Sequence, residues 1–578
     1  MTLGALVVAT GILLASGALA LLAGRSNRLA LSVGTAGCVL ASLVGAVASA
    51  RVLVFAEDEV ARASWHVPIG ELIVGVDALS AFFLLCIYLV SGLAAVYGAG
   101  YLPGHAEGRS LAPAVFFFSV LVASMTGVVL ARDGVLLLVS WEIMSLSGFF
   151  LVTFDHEHDK VRRAGMVYLV ASQLGTAFLF VLLGLLARHG GDFSFASIAR
   201  AGAPSAELAN VCFLLALVGF GTKAGFWFLH TWLPEAHPAA PSHVSATMSG
   251  VMIKLGIYGI LRVLTLLGPP PVWWGIVLIA VGAVSGVLGV LHALSQHDLK
   301  RLLAYSSVEN VGIIAMGLGL GLLGQSVQNP SVALLGFGGA MLHTLNHGLF
   351  KGLLFHGAGS VLEATGTSAL DALGGLSRKM PLTAATFLVA SLAICGLPPL
   401  NGFVSEWLIY VAAFRAGAGF HGLAGVAAVF VIPTLALVGG LAAVCFVRAY
   451  GVPFLGTGRS EAAEAGRDPP LAMRVSMVLG AAACIAIGVW PDVAVRLVER
   501  PARVMVGAAA TAAPMLEELV AVTRVAAVVL GLTGLFVLTR WALLRRREVA
   551  VGTTWGCGWE AATPRMQYTA SSFATPAL

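Results

Sequence analysis

The sequence predicts an all-α polytopic membrane protein with about fifteen transmembrane helices. Of its 578 residues, 58% are hydrophobic and 11% are charged, whereas soluble domains carry roughly 25% charged residues. The mean hydropathy is +0.93, and apolar runs long enough to cross a ~30 Å hydrocarbon core recur along the whole chain. The 69 glycines fit this class, because glycine lets membrane helices approach closely.

The predicted helices follow one another along the chain in four regions. We expect N-terminal helices in 1–111, a five-helix repeat in 112–265, a second and inverted five-helix repeat in 266–450, and C-terminal helices with a polar tail in 451–578. The first apolar run has no basic segment before it, which predicts a retained helix rather than a cleaved signal peptide. The runs centre on residues 3–23, 29–54, 72–98, 112–131, 134–154, 164–187, 208–229, 241–265, 273–295, 302–323, 331–360, 382–412, 425–448, 472–490 and 522–544.

Two interruptions predict broken helices in spans 7/8 and 12. The segment HTWLPEAHPAAP places Pro234, Pro238 and Pro241 at a helix junction, and GLPPLNG at 396–402 breaks the twelfth run. Backbone groups freed at membrane depth persist only where protein or cavity water satisfies them. Broken helices of this kind commonly mark ion sites in transporters. Because each repeat has an odd number of helices, the second must be inverted relative to the first.

The distribution of lysine and arginine predicts the orientation in the membrane. It places the N-terminus outside and the C-terminus in the cytoplasm. The connection 491–521 is an exception, since it should face outward yet carries Arg496, Arg500 and Arg503; either an interfacial helix or a miscounted span would explain it. The basic connections assigned to the cytoplasmic side carry Arg25 and Arg28, Lys160, Arg162 and Arg163, Lys300 and Arg301, Arg378 and Lys379, Arg448, Arg459 and Arg467, and Arg545 to Arg547.

Several classes of chemistry are disfavoured. The glycines Gly319, Gly321 and Gly324 satisfy GxGxxG, but they lie inside an apolar helix with no strand before them, and the chain has no P-loop. No CxxC pair is present to hold zinc, nickel or an iron–sulfur cluster. We therefore expect no cofactor on this chain, and any redox centre belongs to another subunit. The cysteines are Cys38, Cys86, Cys212, Cys395, Cys445, Cys484 and Cys557.

Ionisable residues inside the apolar runs are the candidate functional residues. Such groups are costly at bilayer depth and usually line a pathway for ions or protons. Three of them, His343, His347 and Lys351, follow one another at i, i+4 and i+8 and therefore share one helix face. Together they predict a hydrated path for protons. The candidates are Glu142, Lys223, Lys254, Glu309, His343, His347, Lys351 and Glu406.

Each candidate also has a structural alternative. Glu142 is about 12 Å into its span at 1.5 Å per residue, where a carboxylate bonded to neighbouring hydroxyls is the alternative. Lys223 and Lys254 are too deep to reach the interface easily, but a helix-end anchor remains open. A histidine on an apolar helix is often a satisfied core residue. Glu309 lies nine residues beyond Lys300, either near the interface or bonded to its neighbours Ser306 and Asn310.

Five segments carry a resemblance to a known family. Over about residues 70–450 the chain looks like the antiporter-like membrane subunits shared by respiratory complex I, multisubunit sodium/proton antiporters and membrane-bound hydrogenases. HDLKRLLAYSSVEN and the tail TTWGCGWEAATPRMQYTASSF most resemble the large membrane subunit of formate hydrogenlyase and hydrogenase-4 type complexes. The five segments are VSWEIMSLSGFFLVTF, GFGTKAGFWFLHTWLPEAHPAAPSHVSA, HDLKRLLAYSSVENVGII, HTLNHGLFKGLLFHGAGSV and GLPPLNGFVSEWLIY.

The resemblance implies a role for most of the candidates. Glu142 and Lys223 match the family's glutamate and lysine of the fifth and seventh helices, and Lys254 matches the lysine of the eighth. Lys351, with its preceding histidines, matches the central basic group, and Glu406 matches the distal acid. The family's long lateral helix is not obvious in this sequence, because the stretch 491–521 is short.

The resemblance also implies a function and partners. We expect a proton-translocating subunit of a membrane-bound oxidoreductase, with other membrane subunits and a soluble hydrogenase-like arm. Nickel–iron and iron–sulfur clusters are expected on those partner subunits, in a prokaryotic cytoplasmic membrane. One alternative is a subunit of a multisubunit cation/proton antiporter, with sodium as the coupled ion. A second alternative is a membrane anchor that conducts nothing.

Overall fold

The structure is a computed structural model that describes residues 2–55, 57–65, 70–106, 108–507, 513–548, 563 and 566–574. It is a bundle of helices with one short antiparallel sheet. The first part of the chain forms α1 (Thr2–Leu22), α2 (Asn27–Phe55), β1 (Glu59–Ala63), β2 (Leu72–Val76) and α3 (Ala78–Tyr101). The helices of the first predicted repeat are α4 (Ala112–Leu130), α5 (Gly134–Val152), α6 (Asp159–Gly190), α7 (Phe195–Arg200), α8 (Ala206–Ala224), α9 (Leu233–Ala239), α10 (Ser242–Thr247) and α11 (Lys254–Leu264).

The second half of the chain continues the bundle. Its helices in the second predicted repeat are α12 (Val272–Leu294), α13 (Leu299–Ser326), α14 (Pro330–Thr365), α15 (Leu376–Lys379), α16 (Pro381–Ile394), α17 (Asn401–Gly419) and α18 (Gly422–Phe454). The last helices are α19 (Glu461–Glu464), α20 (Leu471–Val489), α21 (Pro491–Val506), α22 (Ala513–Leu544) and α23 (Ala570–Ala574).

The helix lengths and composition are those of a protein that crosses a membrane many times. Among the residues that the structure describes, 13 helices are long and apolar enough to span a membrane. The predicted runs 331–360 and 382–412 correspond to α14 and to the pair α16 and α17, which are not among those 13. The chain is therefore a polytopic, mainly helical membrane protein.

One predicted helix begins later in the structure than the sequence predicts. The predicted run 72–98 begins as strand β2, which pairs with β1 in the register Glu59↔Val76 to Ala63↔Leu72. Helix α3 starts only at Ala78, because the Asp77 carboxylate accepts a hydrogen bond from the Ser80 N–H at 2.8 Å and caps the helix. The apolar stretch LIVGV was continuous with the helix in hydropathy, so hydropathy alone placed the boundary too early.

Both predicted breaks are present as interrupted helices. The first lies between α8 and α9, where Gly225 has φ +84° and the Trp232 indole N–H donates to the Thr222 carbonyl at 2.9 Å. A π-helical turn at Met248–Met252 then separates α10 from α11. The second break lies between α16 and α17, where a β-carbon at Gly402 would overlap the Ala393 carbonyl oxygen. Only glycine permits this close approach.

Five of the functional candidates, Lys254, Glu309, His343, His347 and Lys351, lie in the most enclosed part of the bundle. Every residue is buried in the most apolar 18-residue window of the spans Ser242–Leu264 and Leu299–Ser326, whereas only 39% are buried in the corresponding windows of Asp159–Gly190 and Gly422–Phe454. Helices α12 and α13 approach closely at glycine, since a β-carbon at Gly312 would lie 2.5 Å from the Gly282 carbonyl oxygen. The enclosed helices therefore form a protein interior at membrane depth.

The C-terminal part differs in detail from the prediction. The connection 491–521 contains α21, a 16-residue helix that carries Arg496, Arg500 and Arg503. Helix α22 begins at Ala513, earlier than the predicted run 522–544, and only 11% of its apolar window is buried. Most of the polar tail, including Cys557, lies outside the described residues.

Candidate functional site

Glu142 lies on α5 and faces α6. Its carboxylate accepts hydrogen bonds from the Gln173 amide and the Thr176 hydroxyl, both at 2.7 Å. The side chain is only partly buried and Gln173 is exposed on the outer surface of the bundle. Glu142 is thus hydrogen-bonded to polar neighbours, as a structural carboxylate would be. Its side chain is also partly exposed at the surface of the bundle.

Lys223 lies at the end of α8, directly before the first break. Its ammonium donates to the Ser145 hydroxyl at 3.0 Å and to the Ser172 hydroxyl at 3.1 Å. Three aromatic rings surround it, because Nζ lies 5.0 Å from the Tyr168 centroid, 5.7 Å from that of Trp141 and 5.9 Å from that of Trp232. Cation–π attraction in this cage compensates part of the cost of burying the charge.

Glu142 and Lys223 are linked through an intermediate pair on α6. The Thr176 hydroxyl lies 2.7 Å from the Glu142 carboxylate and 3.0 Å from the Ser172 carbonyl oxygen, while the Ser172 hydroxyl accepts from Lys223. No ion pair joins the carboxylate directly to the ammonium in the described part of the chain. The charges are therefore coupled at a distance, with two hydroxyl groups between them.

Lys254 and His347 form a buried pair between α11 and α14. The Lys254 ammonium donates to the Ser249 carbonyl and contacts Nδ1 of His347. When Lys254 is charged it has donors only, so in that state Nδ1 accepts and the ring proton resides on Nε2. That Nε2 has no hydrogen-bond partner among the described residues. The histidine therefore presents an uncommitted donor to the interior.

His343 connects α14 with α13 and α17. Its Nε2 lies 3.1 Å from the Asn310 amide oxygen, and its Nδ1 lies 3.0 Å from the Ser405 hydroxyl. The Ser405 hydroxyl also lies 3.0 Å from the Gly402 carbonyl, and Asn346 donates to it at 3.1 Å. Because one hydroxyl proton has two possible acceptors, the group can donate to the histidine or to the backbone beside the second break.

Lys351 and Glu309 are both fully buried, on α14 and α13. The ammonium donates to the Ser306 hydroxyl, and neither carboxylate oxygen of Glu309 has a hydrogen-bond partner in the described residues. Glu309 is not bonded to its neighbours Ser306 and Asn310, because both of these bond elsewhere. Glu309 is an enclosed carboxyl group available for a proton.

Glu406 lies on α17 just beyond the second break. It is 8% exposed, and its carboxylate covers Gly396, where a β-carbon would lie 2.5 Å from Oε2. Gly396 has φ +62°, a backbone conformation that glycine adopts without strain, and its lack of a side chain leaves room for the Glu406 carboxylate. The acid is thus held against an interrupted stretch of backbone.

The structure adds two buried groups that the sequence reasoning missed. His237 lies on the short helix α9, directly after the first break, with 0% exposure, and neither ring nitrogen has a partner in the described residues. Lys300, assigned above to a cytoplasmic connection, is buried and donates to the carbonyls of Pro238 and Ala240 at 3.1 and 2.6 Å. The three prolines marked this segment, but no periodicity distinguished its histidine.

The candidates fall into two neighbouring groups. One contains Glu142 and Lys223, and the other contains Lys254, Glu309, His343, His347 and Lys351, with Glu406 beyond them at the second break. In the ranges that the structure describes, no group of three or more His, Cys, Asp or Glu residues is placed to hold a metal ion. The arrangement of ammonium, imidazole, carboxyl and hydroxyl groups is suited to moving protons.

The comparisons with known proteins agree with this architecture. A family model described as NADH:quinone oxidoreductase/Mrp antiporter, TM matches residues 131–431. Hydrogenase-4 component B of Escherichia coli (strain K12) is 44% identical over 434 residues, which are 74% of this chain and 64% of that protein. Formate hydrogenlyase subunit 3 of the same strain is 38% identical over 373 residues, 64% of this chain and 60% of that protein.

The chain therefore spans less than two thirds of the length of these two relatives. A solved structure of the membrane-bound sulfane sulfur reductase, an archaeal respiratory membrane complex, contains a chain of the same fold. It matches with a TM-score of 0.78 at 25% identity, over 98% of this chain and 90% of that chain.

Proposed function

Because the chain belongs to the family of NADH:quinone oxidoreductase/Mrp antiporter transmembrane proteins, we propose that it is a proton-translocating membrane subunit of an oxidoreductase complex. The names of its relatives favour a hydrogenase-4 or formate hydrogenlyase type of complex. In this proposal the chain moves protons, and partner subunits carry out the redox reaction.

The observation that carries the proposal is the set of buried titratable groups in the enclosed helices. Lys254 contacts His347, and His343 is bonded to Asn310. Glu309, which has no hydrogen-bond partner among the described residues, is three residues from the Ser306 that binds Lys351. Such groups are expensive at membrane depth, and a purely structural anchor gains nothing from them. Their cost is explained when each group takes up and releases a proton during turnover.

The coupling at Glu142 supplies a way to control the path. A negative charge at Glu142 favours the charged form of Lys223, while burial disfavours it. When Glu142 is protonated or pairs with another group, Lys223 releases its proton toward the interior. The proton then passes through water to Lys254, His347, His343 and Lys351 and leaves beside Glu406.

The energy scale of this control is modest. Moving one proton against a 100 mV potential costs about 2.3 kcal/mol. That cost corresponds to roughly a fifty-fold change in proton affinity, since each tenfold change is about 1.36 kcal/mol. Rearranging one or two hydrogen bonds near Lys223 is sufficient to supply it.

We also propose the finer architecture. The long helix α14 and the broken pair α16 and α17 complete about fifteen crossings with the other spans. Regions 112–265 and 266–450 are inverted repeats, supported by a broken helix as the fourth crossing of each. The distribution of basic connections supports an orientation with the N-terminus outside and the C-terminus in the cytoplasm of a prokaryotic cell.

A single substitution tests the proposed function. The intact complex is driven by its own redox reaction in everted membrane vesicles, and the membrane potential is followed with an oxonol dye. Lys223→Ala is expected to abolish proton translocation while the complex remains assembled, and Lys160→Ala, at an exposed lysine, is the matched control. If Lys223→Ala translocates protons at the full rate, the proposed function is wrong and the chain is a membrane anchor that conducts nothing. If translocation requires sodium and no redox partner, the chain is a subunit of a cation/proton antiporter.

A further inference from the structure

A cavity of about 600 Å³ opens at the end of α14, separate from the groups described above. It lies between the last turns of α14 and the beginning of α20. Its volume is ample for several water molecules. Polar side chains in its lining are Ser360, Glu363, Arg467, Asp468 and Arg474.

Glu363 is the uncommitted acid of this cavity. The other carboxylate, Asp468, is occupied, because it accepts hydrogen bonds from the backbone N–H groups of Leu382 and Thr383 at 3.0 Å and caps α16. Glu363 is only partly exposed, and its buried Oε2 has no hydrogen-bond partner in the part of the chain that the structure describes. A carboxylate in this position can take a proton from cavity water.

Hydroxyl groups lead inward from Glu363. Ser360 lines the same cavity one helical turn deeper, and its hydroxyl lies 3.2 Å from the Tyr97 hydroxyl. Tyr97 donates to the His356 carbonyl at 2.7 Å, and its ring stacks on the His356 ring with centroids 4.2 Å apart. A serine, a tyrosine and a histidine are therefore in contact behind the cavity.

The tautomer of His356 follows from its partners. When the Ser476 hydroxyl donates to the Leu93 carbonyl at 2.8 Å, Nδ1 of His356 donates to that hydroxyl at 3.3 Å. Nε2 then carries a lone pair, and it has no partner among the described residues although the side chain is only 3% exposed. An imidazole nitrogen buried in this way is able to accept a proton.

The same cluster reaches the first broken segment. A β-carbon at Gly359 would lie 2.6 Å from both the Tyr97 hydroxyl and the Ser242 hydroxyl, so the two hydroxyls converge on one point of α14. Ser242 is the first residue of α10, directly after the broken segment that contains His237, and its hydroxyl has no partner in the described residues. The cavity is thereby connected with the start of the enclosed helices.

We propose that this cavity is a lateral proton-entry site in which Glu363 takes up the proton and Ser360, Tyr97, His356 and Ser242, connected by intervening water, pass it to the segment around His237. The proposal rests on the proposed function, because it supplies protons to the same interior path. Each transfer breaks one O–H or N–H bond as the next one forms, so no electron changes hands. By the predicted orientation, the cavity opens on the cytoplasmic side.

The test uses the intact complex in everted vesicles and measures the rate at which membrane potential develops per redox turnover. Glu363→Gln and His356→Phe, which keeps a ring against Tyr97, are expected to lower that rate at least fivefold. Glu363→Asp retains a titrating carboxyl group and is expected to keep most of the wild-type rate. The matched control is Glu461→Gln, an exposed glutamate at the same end of the bundle outside the cavity. Complex assembly is checked by co-purification.

Added imidazole provides a readout that a merely structural defect would not change. As a small mobile proton carrier it is expected to restore the rate of Glu363→Gln, and to leave Lys223→Ala inactive. The entry site is refuted if Glu363→Gln has the same rate as Glu461→Gln, or if it is slow and imidazole does not restore its rate. In either case, loss of translocation in Lys223→Ala still supports the proposed function. If Lys223→Ala retains full translocation, the proposed function fails and the entry site fails with it.

Discussion

Glu309 is fully enclosed, yet neither of its carboxylate oxygens has a hydrogen-bond partner in the described residues. Burying a carboxyl group without partners costs free energy, and an ionised one costs considerably more. The cation in the same interior, Lys351, is bonded to the Ser306 hydroxyl instead. A group held in this way contributes nothing to folding, which indicates that its proton affinity is what matters.

We therefore predict that Glu309→Gln separates stability from transport. The amide has nearly the same shape and no charge, so the complex is expected to unfold at an equal or higher temperature. Proton translocation is expected to fall at least tenfold, because the amide cannot bind and release a proton. Thermal unfolding of the purified complex and the oxonol assay measure the two effects, with Glu461→Gln as control. A less stable variant that still translocates protons would contradict this role.

The sequence predicted charged residues far better than their partners. Lys223 and Lys254 are conspicuous because a charge in an apolar run is rare. Their partners, Ser172 for Lys223 and His347 for Lys254, come from helices distant in sequence. His237 was missed for a related reason: within a proline-rich break there is no helical period to show that a side chain faces inward.

At the scale of elements, the two breaks shape the site. The first break brings the backbone carbonyls of Pro238 and Ala240 next to the Lys300 ammonium, and the second holds the Glu406 carboxylate against Gly396. Proline and glycine mark both breaks in the sequence, so their existence was predictable. The strand Leu72–Val76 was not, because a short apolar strand next to an apolar helix has the same hydropathy.

Close packing at the second break predicts a large effect of a very small substitution. Gly402→Ala places a methyl group on the Ala393 carbonyl oxygen, a backbone atom that cannot move aside easily. Overpacking of this kind costs about 1–3 kcal/mol, and we expect a lower thermal unfolding temperature and weaker translocation. Gly439→Ala on α18 is the matched control, because no atom lies within 4 Å of its added methyl group. Equal stability of the two variants would contradict the packing argument.

At the scale of the whole molecule, one ion-pair network joins the N-terminal helices to the first repeat. Arg262 at the end of α11 donates to both carboxylate oxygens of Asp77 at 2.7 and 2.8 Å, and Arg132 lies 3.4 Å from the same carboxylate. Burial opposes ionisation of Asp77, but Arg262 and Arg132 beside it hold its pKa below its ordinary value. The network ties α3, the turn before α5 and α11 together at one end of the bundle.

We predict that Asp77→Asn destabilises the complex by about 3–5 kcal/mol, because two largely buried arginines lose their counter-charge. The depressed pKa means that the ionised carboxylate stabilises the fold at every pH above about 3.9, the ordinary value for aspartate, and that this stabilisation is lost only as the pH falls further. Thermal unfolding of the wild type between pH 5 and 8 should therefore show no transition due to this group. Asp159→Asn, at a carboxylate with 90% exposure, is expected to cost at most about 1 kcal/mol.

The partners of the whole molecule yield the last prediction. A chain that translocates protons in a redox complex needs subunits that carry the redox chemistry, and the names of its relatives favour a hydrogenase-like arm. Purification through this subunit in a mild detergent, followed by mass spectrometry and metal analysis, is expected to recover hydrogenase-like chains together with nickel and iron. Lys223→Ala should recover the same chains and metals, because it removes a proton carrier and leaves the outer surfaces intact. Recovery of small hydrophobic partners alone, without metal, would contradict the redox assembly and favour a cation/proton antiporter.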